Sequence, residues 1–210
     1  MLVITGAGEK AFAAGTDIAQ FRSFTTPEDA LAYETRIDRV ITTIESCPIP
    51  TIAAISGAVT GGGASIACAC DMRIATQSAR FGFPVARTLG NCLSMSNYAR
   101  LATLLGPARV KDIVFTARLV EAEEGLRVGL FNEIVADHAA LLARVAELAR
   151  TISGHAPLTM RATKEALLRL AKSRDLPEAD DLVVMCYMSA DFREGMEAFL
   201  GKRPPQWKGE

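Results

Sequence analysis

Pro50-Thr51-Ile52-Ala53-Ala54-Ile55-Ser56-Gly57-Ala58-Val59-Thr60-Gly61-Gly62-Gly63 carries an apolar strand, residues 51–55, into three consecutive glycines. Glycines leave their N–H groups bare and let a ligand come close to the backbone. The next residues, Ala64 to Ala69, read as a short helix. A second stretch of the same kind lies upstream. There Leu2-Val3-Ile4-Thr5 reads as a strand, and Phe12-Ala13-Ala14-Gly15-Thr16-Asp17 supplies the small-residue loop. Two N–H groups facing one point would form an oxyanion hole. The pair of loops therefore frames both the fold and the chemistry.

Working outward, residues 6–24 read as a long loop rich in Gly and Ala. Residues 28–46 are helical by the spacing of Ile37, Val40, Ile41 and Ile44, and Pro48 and Pro50 end that helix. Met72-Arg73-Ile74-Ala75 is a third strand, and Ala79-Arg80-Phe81-Gly82-Phe83 is a short fourth. Helices follow at 93–105 and 107–116, with Pro107 suited to a first helical position. Asn132-Glu133-Ile134-Val135 is a further strand. After Asp137 the pattern is helical throughout, at 138–153, 156–173, 177–190 and 191–200, and the tail from Lys202 to Trp207 is extended. The expectation is an α/β core over residues 1–136 and a helical region over 137–210.

Composition narrows the function classes. The 210 residues have a formal net charge of -1, half of them are hydrophobic and 22% are charged. That balance fits a globular chain and provides no basic field for nucleic acid or a membrane surface. Apolar stretches end well short of the ~20 residues that span a bilayer. Five cysteines (Cys47, Cys68, Cys70, Cys92, Cys186) at irregular spacings do not form a zinc pattern with His138 or His155. They fit free thiols in a reducing cytoplasm.

The residues carry a resemblance that covers essentially the whole chain. K-A-F-A-A-G-T-D-I at 10–18 resembles the first oxyanion loop of the crotonase superfamily, the enoyl-CoA hydratase/isomerase family. P-T-I-A-A-I-S-G-A-V-T-G-G-G at 50–63, A-C-A-C-D-M-R-I-A at 67–75 and A-R-F-G-F-P at 79–84 match in the same order, and S-A-D-F-R-E-G-M-E-A-F-L-G-K-R-P-P-Q-W at 189–207 resembles the closing helix and tail. The resemblance implies a spiral of strand-strand-helix turns with a C-terminal helical region. It also implies a homo-trimer or hexamer, and the many leucines of 156–173, among them Leu158, Leu167 and Leu168, exceed what one narrow buried stripe needs.

Carried over by position, the resemblance places the oxyanion N–H groups on Thr16 and Gly62, with the helix N-terminus behind Gly62. Gly15, Gly61, Gly63 and Val85 join the substrate-binding set. Ala13 and Ala14 line the adenine side through their backbone, and Phe199 and Lys202 approach the coenzyme A moiety, where Lys202 pairs with a phosphate. Coenzyme A enters as part of an acyl-CoA thioester substrate, without a further cofactor or metal. Asp17 and Asp71 read as structural, bonding local backbone N–H groups.

The sequence departs from the family pattern where hydration needs its acid and base. The two glutamates of the hydratases fall at Ser65 and Val85 here. Ser65 is a candidate to position a water or a polar acyl group, and Arg87 to hold a substrate carboxylate, against the plainer reading of a surface salt bridge. Cys92 has no histidine near it in sequence to act as its base. The resemblance also implies a strand-helix unit ahead of Leu2 that this sequence does not contain, which predicts an open sheet edge and exposed apolar surface. Two readings follow. One is an enzyme that polarises the thioester and stabilises an enolate with groups other than those glutamates. The other is a non-catalytic acyl-CoA-binding pseudoenzyme.

Overall fold

The first six strands alternate between two sheets, and that alternation makes the spiral. The computed structural model describes residues 1–172 and 180–209. The first sheet has the order β1 (Leu2–Thr5), β3 (Thr51–Ile55), β5 (Met72–Thr76), β8 (Glu133–Val135), all parallel. The second has the order β2 (Ala11–Ala13), β4 (Ala58–Thr60), β6 (Arg80–Gly82), β7 (Val120–Glu121), parallel except for the final β6–β7 pair. Strands β1, β3 and β5 each turn a corner into the second sheet, as β2, β4 and β6. At the β3–β4 corner, Gly57 takes φ +64°, and a Cβ there would lie 2.1 Å from the Lys10 carbonyl oxygen. Only glycine meets both conditions.

Strand β3 shows how the layers form. All five of its residues are buried, as expected of a parallel strand covered on both faces. Ile52 and Ala54 pack with Ile74 against Leu141 and Val145 of α7 (His138–Ser153). Ala53 and Ile55 face the opposite way into the main core, with Phe81, Phe83, Leu130 and Phe131. One residue's shift in register would exchange the two sets.

Helix α1 (Pro27–Glu45) begins with Pro27 after Thr26, and the Asp29 carboxylate accepts hydrogen bonds from the Thr25 and Thr26 amides at 2.8 and 2.9 Å. Helix α2 (Gly62–Ala69) follows β4. Its C-terminal end is held by buried Arg73, whose guanidinium donates to the carbonyls of Cys70 (2.7 Å), Ala67 (3.2 Å) and Leu130 (2.7 Å). A cation at that end complements the helix dipole. The chain continues through α3 (Val85–Thr88), α4 (Met95–Leu105), α5 (Pro107–Thr116) and α6 (Ala122–Arg127). After α7 come α8 (Pro157–Lys172), α9 (Asp180–Tyr187) and α10 (Ala190–Leu200).

The C-terminal helices go separate ways. Helix α7 covers the first sheet. Helices α9 and α10 return to α1 through Val183, Tyr187, Phe192 and Met196, which pack on Phe21, Ala30 and Tyr33. Helix α8 leaves Leu158 and Leu167 exposed, at 76% and 62%. The tail is pinned to α10, where Asp191 accepts from the Lys208 and Gly209 amides at 2.7 and 2.8 Å. Strand β1 is a sheet edge, and Leu2 and Val3 are exposed.

Several elements differ from the sequence expectation. Residues 6–24 are not one loop, because they contain β2 and a 3-10 turn at Ile18–Ser23. Strands β2, β4 and β7 have two or three residues each. That is too short for a repeating pattern to register, and they exist because the corners align them. The triple glycine does not merely precede α2, since Gly62 and Gly63 are its first two residues. Residue 173 of the expected 156–173 helix and residues 177–179 of the expected 177–190 helix lie outside the described residues.

Candidate active site

Three glycines determine how closely the two loops meet. Gly15 has φ +122° and Gly61 has φ +54°, and a Cβ on Gly61 would sit 3.6 Å from the Gly15 Cα. A Cβ on Gly63 would lie 2.2 Å from the Ala13 carbonyl oxygen and 2.6 Å from the Ala13 Cβ. Thr60 Oγ1 also donates to the Ala14 carbonyl at 3.2 Å. The loops form one packed unit because these side chains are small.

Above this unit opens a cavity of about 470 Å³. Ala14, Gly15, Thr16, Gly61, Gly62 and Ser65 line it, as do Val85, Thr88 and Leu89 beyond β6. Among the described residues, the N–H groups of Thr16 and Gly62 donate to no acceptor. Gly62 begins α2, so its N–H is one of the donors that a helix leaves without an internal partner. Thr16 is set by its side chain, whose Oγ1 accepts from Gln20 Nε2 at 2.8 Å. Gln20 Oε1 accepts in turn from Arg36 of α1, also at 2.8 Å. Asp17 caps the 3-10 turn by accepting from the Ala19 amide. Asp71 accepts from the Thr51 amide and pairs with Lys164.

The other candidates are distributed unevenly. Ser65 is buried at the cavity wall, and its hydroxyl has no hydrogen-bond partner among the described residues. Phe199 lines the cavity while half exposed. Ala13 and Gly63 lie outside the cavity lining, and their mutual contact assigns them to loop packing. Arg87 is exposed and also outside the lining. Helical spacing explains this, because α3 turns Val85, Thr88 and Leu89 inward and Ala86 and Arg87 outward. Lys202 is exposed at φ +51°, where the chain leaves α10.

On one further wall the sequence points to Cys92 but not to α1 or Tyr187. Tyr33, Glu34 and Ile37 of α1 line the cavity together with Asn91, Cys92 and Tyr187. The Tyr187 hydroxyl donates to Glu34 Oε1, and Asn91 Nδ2 donates to the Tyr187 oxygen at 3.1 Å. A tyrosine has one O–H to give, so the Asn91 atom facing it is the amide nitrogen. Asn91 Oδ1 is left buried with no donor among the described residues. Burial pushes the Glu34 carboxyl up to about 7, against the hydrogen bond from Tyr187, while the charge of Asp38 adds to the rise. Burial and the Glu34 charge raise Tyr187 as well. The hydrogen bond with Cys186, together with burial, keeps the Cys92 thiol protonated, which argues against a nucleophilic role. A signal for Glu34 was present in the sequence: it lies on the stripe of Ala30, Tyr33, Ile37 and Ile41, where a carboxylate interrupts an apolar face.

Residues 1–210 match the enoyl-CoA hydratase/isomerase family along their whole length. The chain belongs to that family. Within it, the chain is 34% identical over 206 residues to the short-chain-enoyl-CoA hydratase of Clostridium acetobutylicum, covering 96% of this chain and 77% of that protein. It is 35% identical to the crotonyl-CoA hydratase of Syntrophomonas wolfei, covering 97% and 78%. Among solved structures, methylmalonyl-CoA decarboxylase in complex with 2-nitronate-propionyl-CoA superposes with a TM-score of 0.88 at 29% identity, covering all of this chain and 81% of that one. The crotonase fold expected from the motifs is thus shared with solved relatives, including the helical C-terminal region.

Two further features of this family member lie apart from the cavity. Ser56 Oγ and His138 Nδ1 are 2.9 Å apart, but Ser56 is buried at the β3–β4 corner and neither residue lines the cavity. A second cavity of about 500 Å³ lies between the end of α2 and α8, bordered by the Lys164–Asp71 pair. No helix among the described residues is long and apolar enough to cross a membrane.

Proposed function

We propose that this protein binds an acyl-CoA thioester in the 470 Å³ cavity, polarises its carbonyl between the N–H groups of Thr16 and Gly62, and stabilises an enolate. The observation that carries this reading is the pair of donors without acceptors, held on two loops that pack against each other and line one cavity. Charge develops on the thioester oxygen as the enolate forms, and fixed donors stabilise that charge more than the ground state. The relatives are named for CoA thioesters, which agrees with this substrate class.

Coenzyme A is part of the substrate in this reading. Gly15, Gly61 and Ala14 give the thioester close access to the backbone, with Val85 forming part of the acyl wall. Phe199 covers the coenzyme side and Lys202 meets a phosphate. Ser65, whose hydroxyl is uncommitted, orients a water or a polar acyl group. Neither Ser65 nor Val85 supplies a carboxylate, so enolate formation takes precedence over hydration by a glutamate pair. The exposed leucines of α8 and Phe115, which is 76% exposed, support assembly as a homo-trimer or hexamer. The five free cysteines suit a cytoplasmic setting.

Calorimetric titration with crotonyl-CoA and butyryl-CoA tests the binding half, with free coenzyme A as the reference. Saturable binding that is tighter for the thioesters is expected, and no binding of any thioester overturns the reading. Turnover is then assayed across enoyl-, hydroxyacyl- and carboxyacyl-CoA thioesters. Binding without turnover on the whole panel would favour the non-catalytic alternative.

A further inference from the structure

We infer that Glu34 is the proton-transferring catalytic residue of this cavity, with Tyr187 and Asn91 as positioning residues. The inference rests on the thioester reading above. Glu34, Asn91, Tyr187, Thr16 and Gly62 line one cavity, so an enolate held by the two amides has its carbon end within a space that also contains a carboxylate. Asn91 donates to Tyr187 and Tyr187 donates to Glu34. That chain occupies Oε1 and fixes the carboxylate plane, while Oε2 has no hydrogen-bond partner among the described residues. Asn91 Oδ1 remains a buried acceptor without a donor. An acceptor left unpaired in a ligand-sized cavity calls for an O–H or N–H from outside the chain.

The step balances within these groups. The Glu34 carboxylate takes a proton from the carbon α to the thioester. The C–H electron pair moves into the thioester, its oxygen becomes the enolate oxygen between the Thr16 and Gly62 amides, and Glu34 becomes a carboxylic acid. Return of that proton to the same or a conjugated carbon completes an exchange or an isomerisation. A base that must also act as an acid works best when its two forms are balanced near the working pH. Burial brings Glu34 to that range. The titratable groups around it are Tyr33 and Asp38 on α1, Cys92 after α3, Tyr98 on α4 and Tyr187 on α9. Asp38 is held by a hydrogen bond from Ser94 at 2.8 Å. No lysine or arginine is among the groups that shift Glu34, so none pulls it back toward the ordinary carboxylate range.

The test is exchange of the α-protons of butyryl-CoA in deuterated buffer, followed by mass spectrometry, alongside calorimetric binding of the same thioester. For the wild-type protein, the exchange rate should rise with pH and level off above about 7. Glu34→Gln should lower it about 10²–10⁴-fold while the binding constant stays within about threefold. Tyr187→Phe should lower it less and move the pH profile upward, because the carboxylate loses its donor; a purely structural tyrosine would leave the profile in place. Wild-type exchange without that pH limb overturns the inference without requiring any variant. Unchanged exchange in Glu34→Gln overturns it too, as does thioester binding with no wild-type exchange. Absence of thioester binding overturns the underlying reading instead.

Discussion

The two sides of the cavity are built in opposite ways. One side, with Ala14, Gly15 and Thr16 on one loop and Thr60, Gly61 and Gly62 on the other, is shaped by backbone and small residues, and the close approach of the loops requires them. The other side, where α1 meets α9, works with side chains, and its glutamate, tyrosine and asparagine come from distant parts of the chain. Glu34 and Tyr187 are 153 residues apart, and Asn91 and Tyr187 are 96 apart. The backbone side is held by steric limits that no substituent can satisfy. The side-chain side is held by hydrogen bonds that a conservative substitution removes one at a time. Substitutions on the first side therefore disturb shape and chemistry together, and those on the second separate the two.

The sharpest probe of the comparison is Gly62→Pro. Proline is accepted at the first position of a helix, so this change deletes the N–H while leaving α2 in place. Turnover on the best thioester should fall about 10²–10³-fold with an unchanged circular dichroism spectrum. An unaffected rate would remove Gly62 from the chemistry. Gly63→Ala comes next. Its new Cβ would meet the Ala13 backbone oxygen at 2.2 Å, so one loop must shift. A loss of about 2–3 kcal/mol in urea unfolding is expected, as for other overpacked sites.

On the side-chain side, Glu34 makes stability depend on pH. Its carboxyl is about 7 in the folded chain against an ordinary value of 4.5, so the folded state binds more protons between those limits. Stability from this group is present at pH 4.5 and lost as the pH rises through about 7. Glu34→Gln should flatten that limb by roughly 2 kcal/mol, measured as the urea midpoint at pH 5 and at pH 8. Asp29, Glu124, Glu194 and Glu197 shift the opposite way, and their stabilising contributions disappear only below the ordinary carboxylate range. The smallest effect belongs to Arg22→Ala. Arg22 pairs with Glu197 of α10 in an exposed ion pair at 3.2 Å, and exposed pairs of this kind contribute little. No measurable shift in the thermal midpoint is expected.

The same division explains what the sequence made legible. Loops that demand glycine and follow apolar strands announce themselves locally, so β1, β3, β5 and α2 could be placed from neighbouring residues, whereas the choice of Thr16 and Gly62 rests on the resemblance of the loop motifs to a family. Strands of two or three residues carry little period of their own: β6 and β8 are recognisable only by the apolar Phe81, Phe83, Ile134 and Val135 around them, while β2, β4 and β7 lie among small or polar residues and are not evident. Arg73 looked like an ordinary strand residue because its partners, the carbonyls of Ala67, Cys70 and Leu130, have no side-chain identity to detect. Glu34 is not evident from the sequence because the family resemblance points to the segments around Ser65 and Val85. A carboxylate of the cavity stands on α1, and its surroundings depend on a tyrosine that only the tertiary fold brings to it. Arg87, readable from the sequence either as a cavity residue or as a surface one, is directed outward by its place within one short helical turn.

The 153-residue span between Glu34 and its hydroxyl donor also orders events in time. Corners such as Ala58 on Lys10 and Arg80 on Gly57 join successive turns of the spiral, whereas α9 must travel back to the first helix. Long-range closure is slow because the chain loses its freedom before the contact rewards it. In refolding experiments, amide protection in β3 and β5 should precede protection in α9, with the cavity wall around Glu34 completed only when α9 docks.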